Sequence, residues 1–484
     1  MSLKEQAYRG AQWTTFSSVC NAVVQLLRVA ILARLLEKSD FGLMAIVMMI
    51  MGFMALFSDM GIGSAILHRQ NISQKEYSSL YWLNFLISLI LFLSVCILSV
   101  PISVFYDEHG LIVLIPVMAS NLFITAFGRQ YSVFAQKKLQ FKFISIVEII
   151  TNIVSLIPAV VLALKGFGVY ALIYSTLFAS LFSNICFFLK FQKTHKICFH
   201  FQFSDTKPFL QIGLYQTGSQ ILNYFNTQLD VIIIGKFLGM DTLGLYNLAK
   251  NLAMRPMQII NPILTKLSAP LLAKVQSDAN SLKRNYLKII NILSFINFPI
   301  HLLMAVLSLP IINILYGMNN NTMAIVLSLL SVYYALRSIG NPVGGLVIAT
   351  GKTHIEFYWN VIMIFVFPVF VSIGSLFSVE GAAFSQLLLM VLAYIPSWYF
   401  LVRKLVTIPL KEYVMKSVPY LLFCIVSGLI TYLLLKVISI DIHILNLFIG
   451  TCAFITIYCL EIYLFNRKFA IELWKEFIFS IRKI

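Results

Sequence analysis

Residues 34–44 read RLLEKSDFGLM and residues 236–246 read KFLGMDTLGLY, two segments that align without a gap at an offset of 202 residues. The same offset carries the polar groups of TTFSSVCNAVVQLLRVA (residues 14–30) onto a later segment. Thr14 falls on Gln216, Ser18 on Gln220, Asn21 on Asn223, Gln25 on Thr227 and Arg28 on Asp230, so all five positions are polar in both copies. Their spacing of 4, 3, 4, 3 puts the five on one face of a helix. Further on, LSVPI (98–102) matches LSLPI (307–311), and Arg129 has a counterpart in Arg337. A repeat of this length means that one folding unit has been duplicated.

The repeated unit belongs in a membrane. Of 484 residues, 60% are hydrophobic and only 11% charged, and the mean hydropathy is +0.88, which a water-facing surface does not accommodate. A helix needs roughly 20 apolar residues to cross the hydrocarbon with its backbone satisfied internally. Long unbroken apolar runs exclude a β-barrel. The fold class expected is therefore an all-α polytopic membrane protein with about fourteen transmembrane helices. The runs give spans at 11–36, 42–67, 77–101, 111–135, 143–164, 167–189, 208–235, 242–271, 288–316, 322–349, 354–377, 381–402, 414–435 and 443–465. No cleavable leader pattern precedes the first.

The copies lie six spans apart, an even number, so both halves run in the same direction and are related by an axis along the membrane normal. The expected organisation is a lobe over residues 1–200, a second over 201–405, two additional spans over 406–465, and an interfacial tail, NRKFAIELWKEFIFSIRKI, over 466–484. The net charge of +17 is topological rather than a nucleic-acid footprint. With both termini cytoplasmic, most Lys and Arg fall on inward loops, and the outward loops hold only Lys38, Lys165, Lys236 and Lys436. Seven scattered cysteines show no metal or redox spacing; neither a metal nor another cofactor is expected.

Lipid cannot be what the polar stripe meets. The expectation is that Asn21 and Gln25 of the first span face Gln220 and Asn223 of the seventh across a polar cavity, with Asn251 and Gln258 adding to the lining from a polar face of the eighth span that also holds Asn247, Asn261, Thr265 and Ser268. The alternative, that such groups hold helices together, stays open. Arg28, Arg34, Arg129, Lys250, Arg255, Lys266 and Arg337 lie within spans, where a charge costs roughly 2.5 to 3.5 kcal/mol. Arg34, Lys266 and Arg129 can snorkel to a span end, which leaves Arg28, Lys250, Arg255 and Arg337 as candidate anion-binding groups. Guanidinium suits phosphate oxygens. Asp230, Asp59 and Glu148 are the candidate charge-pairing or ion-coupling acids, with Arg28 and Asp230 placed at similar depth. His301 reads as an interior hydrogen-bonded residue. No catalytic motif is present and the loops are too short for a catalytic domain, so the chain is not expected to be an enzyme.

AILARLLEKSDFGLMAI with FSDMGIGSAILHR, the loop RQYSVFAQKKLQFKF, and LDVIIIGKFLGMDTLGLYNLAKNLAMRPMQII together resemble the polysaccharide-exporter flippases of the multidrug/oligosaccharidyl-lipid/polysaccharide superfamily, in the branch of the colanic acid and teichuronic acid exporters. Ser39 stands where that family usually has a proline. The resemblance implies a two-lobed, alternating-access fold in a bacterial inner membrane. It implies export of an undecaprenyl-diphosphate-linked oligosaccharide toward O-antigen, capsule or exopolysaccharide, with membrane lipids and polysaccharide polymerase or assembly proteins as partners. A lipid II flippase and a cation-coupled multidrug antiporter are the alternatives. A polymerase or ligase is disfavoured by the short outward loops.

Overall fold

The computed structural model describes residues 3–59, 63, 66, 72–194, 196–276, 278–317, 320–438 and 442–467, without the side chains of 3–8, 11, 59, 208–219, 263–271, 273 and 353. The first half of the chain forms α1 (Leu3–Leu32), α2 (Lys38–Asp59), α3 (Gln74–Tyr106), α4 (Leu111–Ala119), α5 (Asn121–Lys137), α6 (Phe141–Leu164) and α7 (Val169–Phe191). Next come α8 (Phe203–Lys274), α9 (Ala279–Val306), α10 (Ser308–Tyr316), α11 (Asn321–Gly340), α12 (Pro342–Thr350), α13 (Thr353–Ser375) and α14 (Val379–Ser397). A π-helical turn (Trp398–Val402) leads to α15 (Arg403–Val406), α16 (Leu410–Val414), α17 (Val418–Ile438) and α18 (His443–Phe465). No strand occurs among the described residues.

Twelve candidate membrane-crossing segments of 21 to 33 residues are found among the described residues. At about 1.5 Å per residue, each reaches across a hydrocarbon layer of about 30 Å. α8 explains the remaining two expected spans. Its 72 residues would make a rod of about 110 Å, far longer than a bilayer is thick. The helix breaks at Gly239, where φ is 78° and ψ 176°, a conformation that only glycine adopts cheaply. Each arm, 203–238 and 240–274, is about 50 Å long and corresponds to an expected seventh or eighth span.

Several span boundaries differ from expectation. The fourth breaks at Ser120 into α4 and α5. The ninth begins at Ala279 rather than 288, because Asp278 caps it by accepting from the Asn280 amide at 3.0 Å, and it stops at Leu307 before α10. The tenth divides at Asn341, where Pro342 opens α12; a proline lacks the N–H that a first helical turn leaves unused. The tail lies outside the described residues beyond Arg467.

By contacts the chain divides into two compact units, Met1–Asn247 and Leu248–Ile484. In the first, α1 lies along α6, and α7 packs on both α5 and α6. Fully buried Ser155 and Ser175 are small enough to let these helices approach closely. In the second unit α9 is central, against α11 and α17, over an apolar core that includes Tyr286, Phe298, Trp398, Tyr420 and Phe454. The apolar residues left exposed, such as Ile97 and Leu164 in the first unit and Leu429 and Phe448 in the second, form a surface suited to lipid rather than water.

Candidate functional site

The stripe on α1 divides its labour along the helix. Thr14 donates back to the Gly10 carbonyl at 2.9 Å and Ser18 to the Thr14 carbonyl at 2.8 Å, so both hydroxyls serve their own helix. Asn21 does more: its Nδ2 donates to Ser17 Oγ at 3.1 Å, and its Oδ1 accepts from Asn152 Nδ2 at 2.8 Å. Ser17 in turn donates to Glu148 Oε2 at 2.7 Å. These four residues tie α1 to α6. Arg28, half-buried like Gln25, donates through Nη2 to Ser175 Oγ on α7 at 2.6 Å. Part of the stripe is therefore interhelical hydrogen bonding, worth about 0.6 kcal/mol per bond and up to about 1.7.

The two copies of the opening repeat meet inside the first unit. A Cβ added to Gly42 would collide with the backbone carbonyl of Met240, and one added to Gly244 with the backbone carbonyl of Lys38. Gly42 and Gly244 are repeat partners, as are Lys38 and Met240, so each glycine receives the carbonyl four residues before its counterpart. The α8 turn is also fixed to the end of α3, where Lys236 Nζ donates to the Phe105 carbonyl at 2.6 Å. Along the preceding arm, the Tyr224 hydroxyl donates to the Met49 carbonyl. Gln220 and Asn223 are exposed on that arm. Asp230 is 2% exposed and accepts from the Tyr246 hydroxyl at 2.6 Å and the Val231 amide at 2.9 Å, so it pins the two arms of α8 together. Asp59 ends α2.

In the second unit Lys250 is buried, Arg255 half-buried, and Asn251 and Gln258 exposed. Arg337 donates through Nη1 to the Tyr333 hydroxyl at 2.8 Å, with its guanidinium carbon 5.8 Å from that ring's centroid. Hydroxyl and ring hold the guanidinium plane in one orientation. Asn261, on the expected polar face of the eighth span, is instead buried among neighbouring helices. It donates to the Ser338 carbonyl at 3.1 Å and accepts from Asn297 at 3.2 Å. His301 is fully buried with Nδ1 2.8 Å from the Asn297 carbonyl.

Two features carried no readable sequence signal. The glycine contact is visible only once the repeats face one another, although the repeat alignment already paired the glycines. The second is a recess at Asn84 and Gln130, whose amide oxygens have no hydrogen-bond partner among the described residues; a buried acceptor left that way costs about 1 to 3 kcal/mol.

Helices of membrane length, embedded cations and a duplicated unit are the parts of a transporter, and the comparisons place them. The family model described as "Polysaccharide biosynthesis protein" matches residues 31–325, more than half of the chain. The chain belongs to this family. Within the polysaccharide biosynthesis proteins, it is 30% identical over 416 residues to the lipopolysaccharide biosynthesis protein WzxC of Escherichia coli (strain K12), covering 86% of this chain and 85% of that one. It is 27% identical over 382 residues to the teichuronic acid biosynthesis protein TuaB of Bacillus subtilis (strain 168), covering 78% and 79%. Its fold is similar to that of the lipid II flippase MurJ in an inward closed conformation, with a TM-score of 0.75 at 16% identity over 96% of this chain and 100% of the other. The family is thus the polysaccharide-exporter branch whose motifs the sequence resembles, and the protein is a multi-pass membrane protein of bacteria.

Proposed function

We propose that this polysaccharide biosynthesis protein is a flippase. It carries an undecaprenyl-diphosphate-linked oligosaccharide from the cytoplasmic to the periplasmic face of the inner membrane by alternating access, without covalent chemistry, and both its termini are cytoplasmic. The observation that carries the mechanism is the paired-glycine contact between the repeat copies. Backbone packed on backbone through two glycines makes a tight seal that no side chain has to break, so it can open and re-form as a unit. The repeat symmetry then supplies the two related bodies that alternating access needs.

In this reading the candidate phosphate-binding groups are Arg28, Lys250, Arg255 and Arg337. The sugar hydroxyls are met by Gln25, Gln220, Asn223, Asn251 and Gln258, with Asn21 shared between substrate and Asn152. Asp230, Glu148 and Asp59 balance charge or couple an ion. Supporting the phosphate role is the oriented Arg337 guanidinium. Product would pass to the polymerase and assembly proteins of polysaccharide synthesis.

The test is reconstitution into liposomes carrying a fluorescent undecaprenyl-diphosphate oligosaccharide, with flipping read by quencher access from outside. Protein-dependent loss of protected fluorescence is expected. Absent flipping of that lipid combined with flipping of lipid II would reassign the protein to cell-wall synthesis, and ion-driven uptake of a cationic dye instead would make it a drug antiporter.

A further inference from the structure

α14 leads into the π-helical turn over Trp398–Val402, where the Arg403 amide donates to the Trp398 carbonyl five residues back. Pro396, in the preceding turn, lacks an N–H and interrupts the regular ladder just ahead of it. In an α-helix residue i+4 lies near residue i, and i+5 is turned away. Closing the turn at i+5 instead sets Arg403 between Trp398 and Tyr399, its guanidinium carbon 5.7 Å and 5.3 Å from the two ring centroids. Trp398 is itself fixed, buried and donating through Nε1 to the Ile408 carbonyl at 2.9 Å. The rings hold the cation by its charge and leave its N–H donors unused. Arg403 and Lys404 are exposed and have no acidic partner among the described residues. Glu412, the nearest acid in sequence, is paired with Lys283 at 2.7 Å.

The helix below Arg403 presents an apolar stripe. Phe384, Leu388, Leu392, Ile395 and Tyr399, spaced 4, 4, 3 and 4, are each 39% to 56% exposed and share one outward face. The stripe runs about 22 Å, longer than the roughly 15 Å of hydrocarbon in one leaflet, and its next step of four is Arg403. Arg403 lies about 36 Å along the helix from Val379, where the span begins, against a hydrocarbon thickness of about 30 Å. The guanidinium therefore comes level with the headgroups, and Trp398 and Tyr399 with the boundary where aromatic side chains collect. A matching ligand has hydrocarbon for the stripe and an anion for the guanidinium.

We propose that Arg403, oriented by Trp398 and Tyr399, binds the phosphate of an anionic phospholipid whose acyl chains lie along the α14 stripe. The guanidinium offers paired donors to the phosphate oxygens. Lys404, 5.3 Å from the Phe400 ring centroid, adds a second positive charge that disfavours a headgroup carrying its own ammonium group. A surface site of this kind needs no enclosed volume, because the rings preorganise the cation and the bilayer delivers the ligand to it.

The experiment titrates the full-length protein in detergent with phosphatidylglycerol, phosphatidylcholine or inorganic phosphate and reads the strongest lipid site by native mass spectrometry. Losing a charge-assisted hydrogen bond costs about tenfold or more in affinity, and Arg403→Gln should weaken phosphatidylglycerol by that factor. Arg403→Lys keeps the charge without the fork and should fall between the two. Tyr399→Leu keeps the charge without one ring and should bind about two- to fivefold more weakly than wild type. Lys283→Gln, which removes a cation already paired, should bind as wild type does. Equal affinity of wild type and Arg403→Gln for phosphatidylglycerol overturns the proposal, as does equal binding of phosphatidylglycerol and phosphatidylcholine by wild type. Full affinity in both Arg403→Lys and Tyr399→Leu also overturns it, since unoriented surface charge predicts that result. Displacement of the lipid by inorganic phosphate at equal concentration would make this a site for a free anion and overturn the lipid assignment. Flipping is not read, so the result stands apart from the transport assignment.

Discussion

Replacing Gly244 with alanine tests the repeat contact directly. The added methyl group would lie against the Lys38 backbone carbonyl, and a backbone atom has no rotamer by which to move away. Overpacking of this kind costs about 1 to 3 kcal/mol. Alanine also raises helix propensity by about 1 kcal/mol, but that gain acts whether or not the contact is made and cancels between the two states. The steric cost falls only on the closed arrangement, so the open-to-closed ratio should rise about 5- to 150-fold. Leu243, fully buried, reports the shift. In a cysteine-free background, Leu243→Cys should react with a water-soluble maleimide faster by that factor once Gly244→Ala is added, and Gly42→Ala should act alike through Met240. Gly340, where an added Cβ meets nothing within 4 Å, is the control, and Gly340→Ala should leave the rate unchanged. Equal labelling rates in all four proteins would refute the idea that the glycines allow a contact that opens.

Removing Asn152 breaks its bond to Asn21, so Asn152→Ala should lower the thermal unfolding temperature of the purified protein by the equivalent of about 0.6 to 1.7 kcal/mol; Ser18→Ala, whose hydroxyl serves its own helix, should change it far less. At Arg337, flipping should fall in the order wild type, Arg337→Lys, Arg337→Ala at constant protein level, because lysine keeps the charge and loses the fork; Tyr333→Phe should fall between wild type and Arg337→Ala. Ser281 hydrogen bonds hold the Asp278 carboxyl below the usual carboxylate range. The cap on α9 is then fully effective above the ordinary carboxylate value and is lost as pH falls through the lowered one, so the protection of the Asn280 amide relative to its intrinsic exchange rate should fall in acid and Asp278→Asn should abolish that dependence.

Helix class, span positions and duplication were legible in the sequence because lipid imposes one-dimensional rules. A crossing segment must be apolar for roughly 20 residues and must satisfy its own backbone, and a gapless repeat at 34–44 and 236–246 needs no structure to be seen. The cations of the candidate site were legible for the same reason: a charge inside an apolar run is conspicuous. Which partner each polar residue takes was not. Periodicity assigns a residue to a face but says nothing of what packs there. The spacing that put Asn21 on a polar stripe could not distinguish a cavity from Asn152, and the stripe containing Asn261 could not reveal that Ser338 and Asn297 would enclose it.

Sequence alone therefore determined that this chain crosses a membrane many times, that its halves share one ancestor pattern, and to which family of transporters its motifs point. Only the tertiary structure decided that α8 folds back at Gly239, that Gly42 and Gly244 each admit the other copy's backbone, and that the Asn84 and Gln130 oxygens are buried beside Arg129. The reason is physical. Insertion into lipid depends on local composition, which a sequence states outright, whereas close packing and hydrogen-bond satisfaction depend on atoms from segments distant in the chain, whose approach is settled only when the helices assemble.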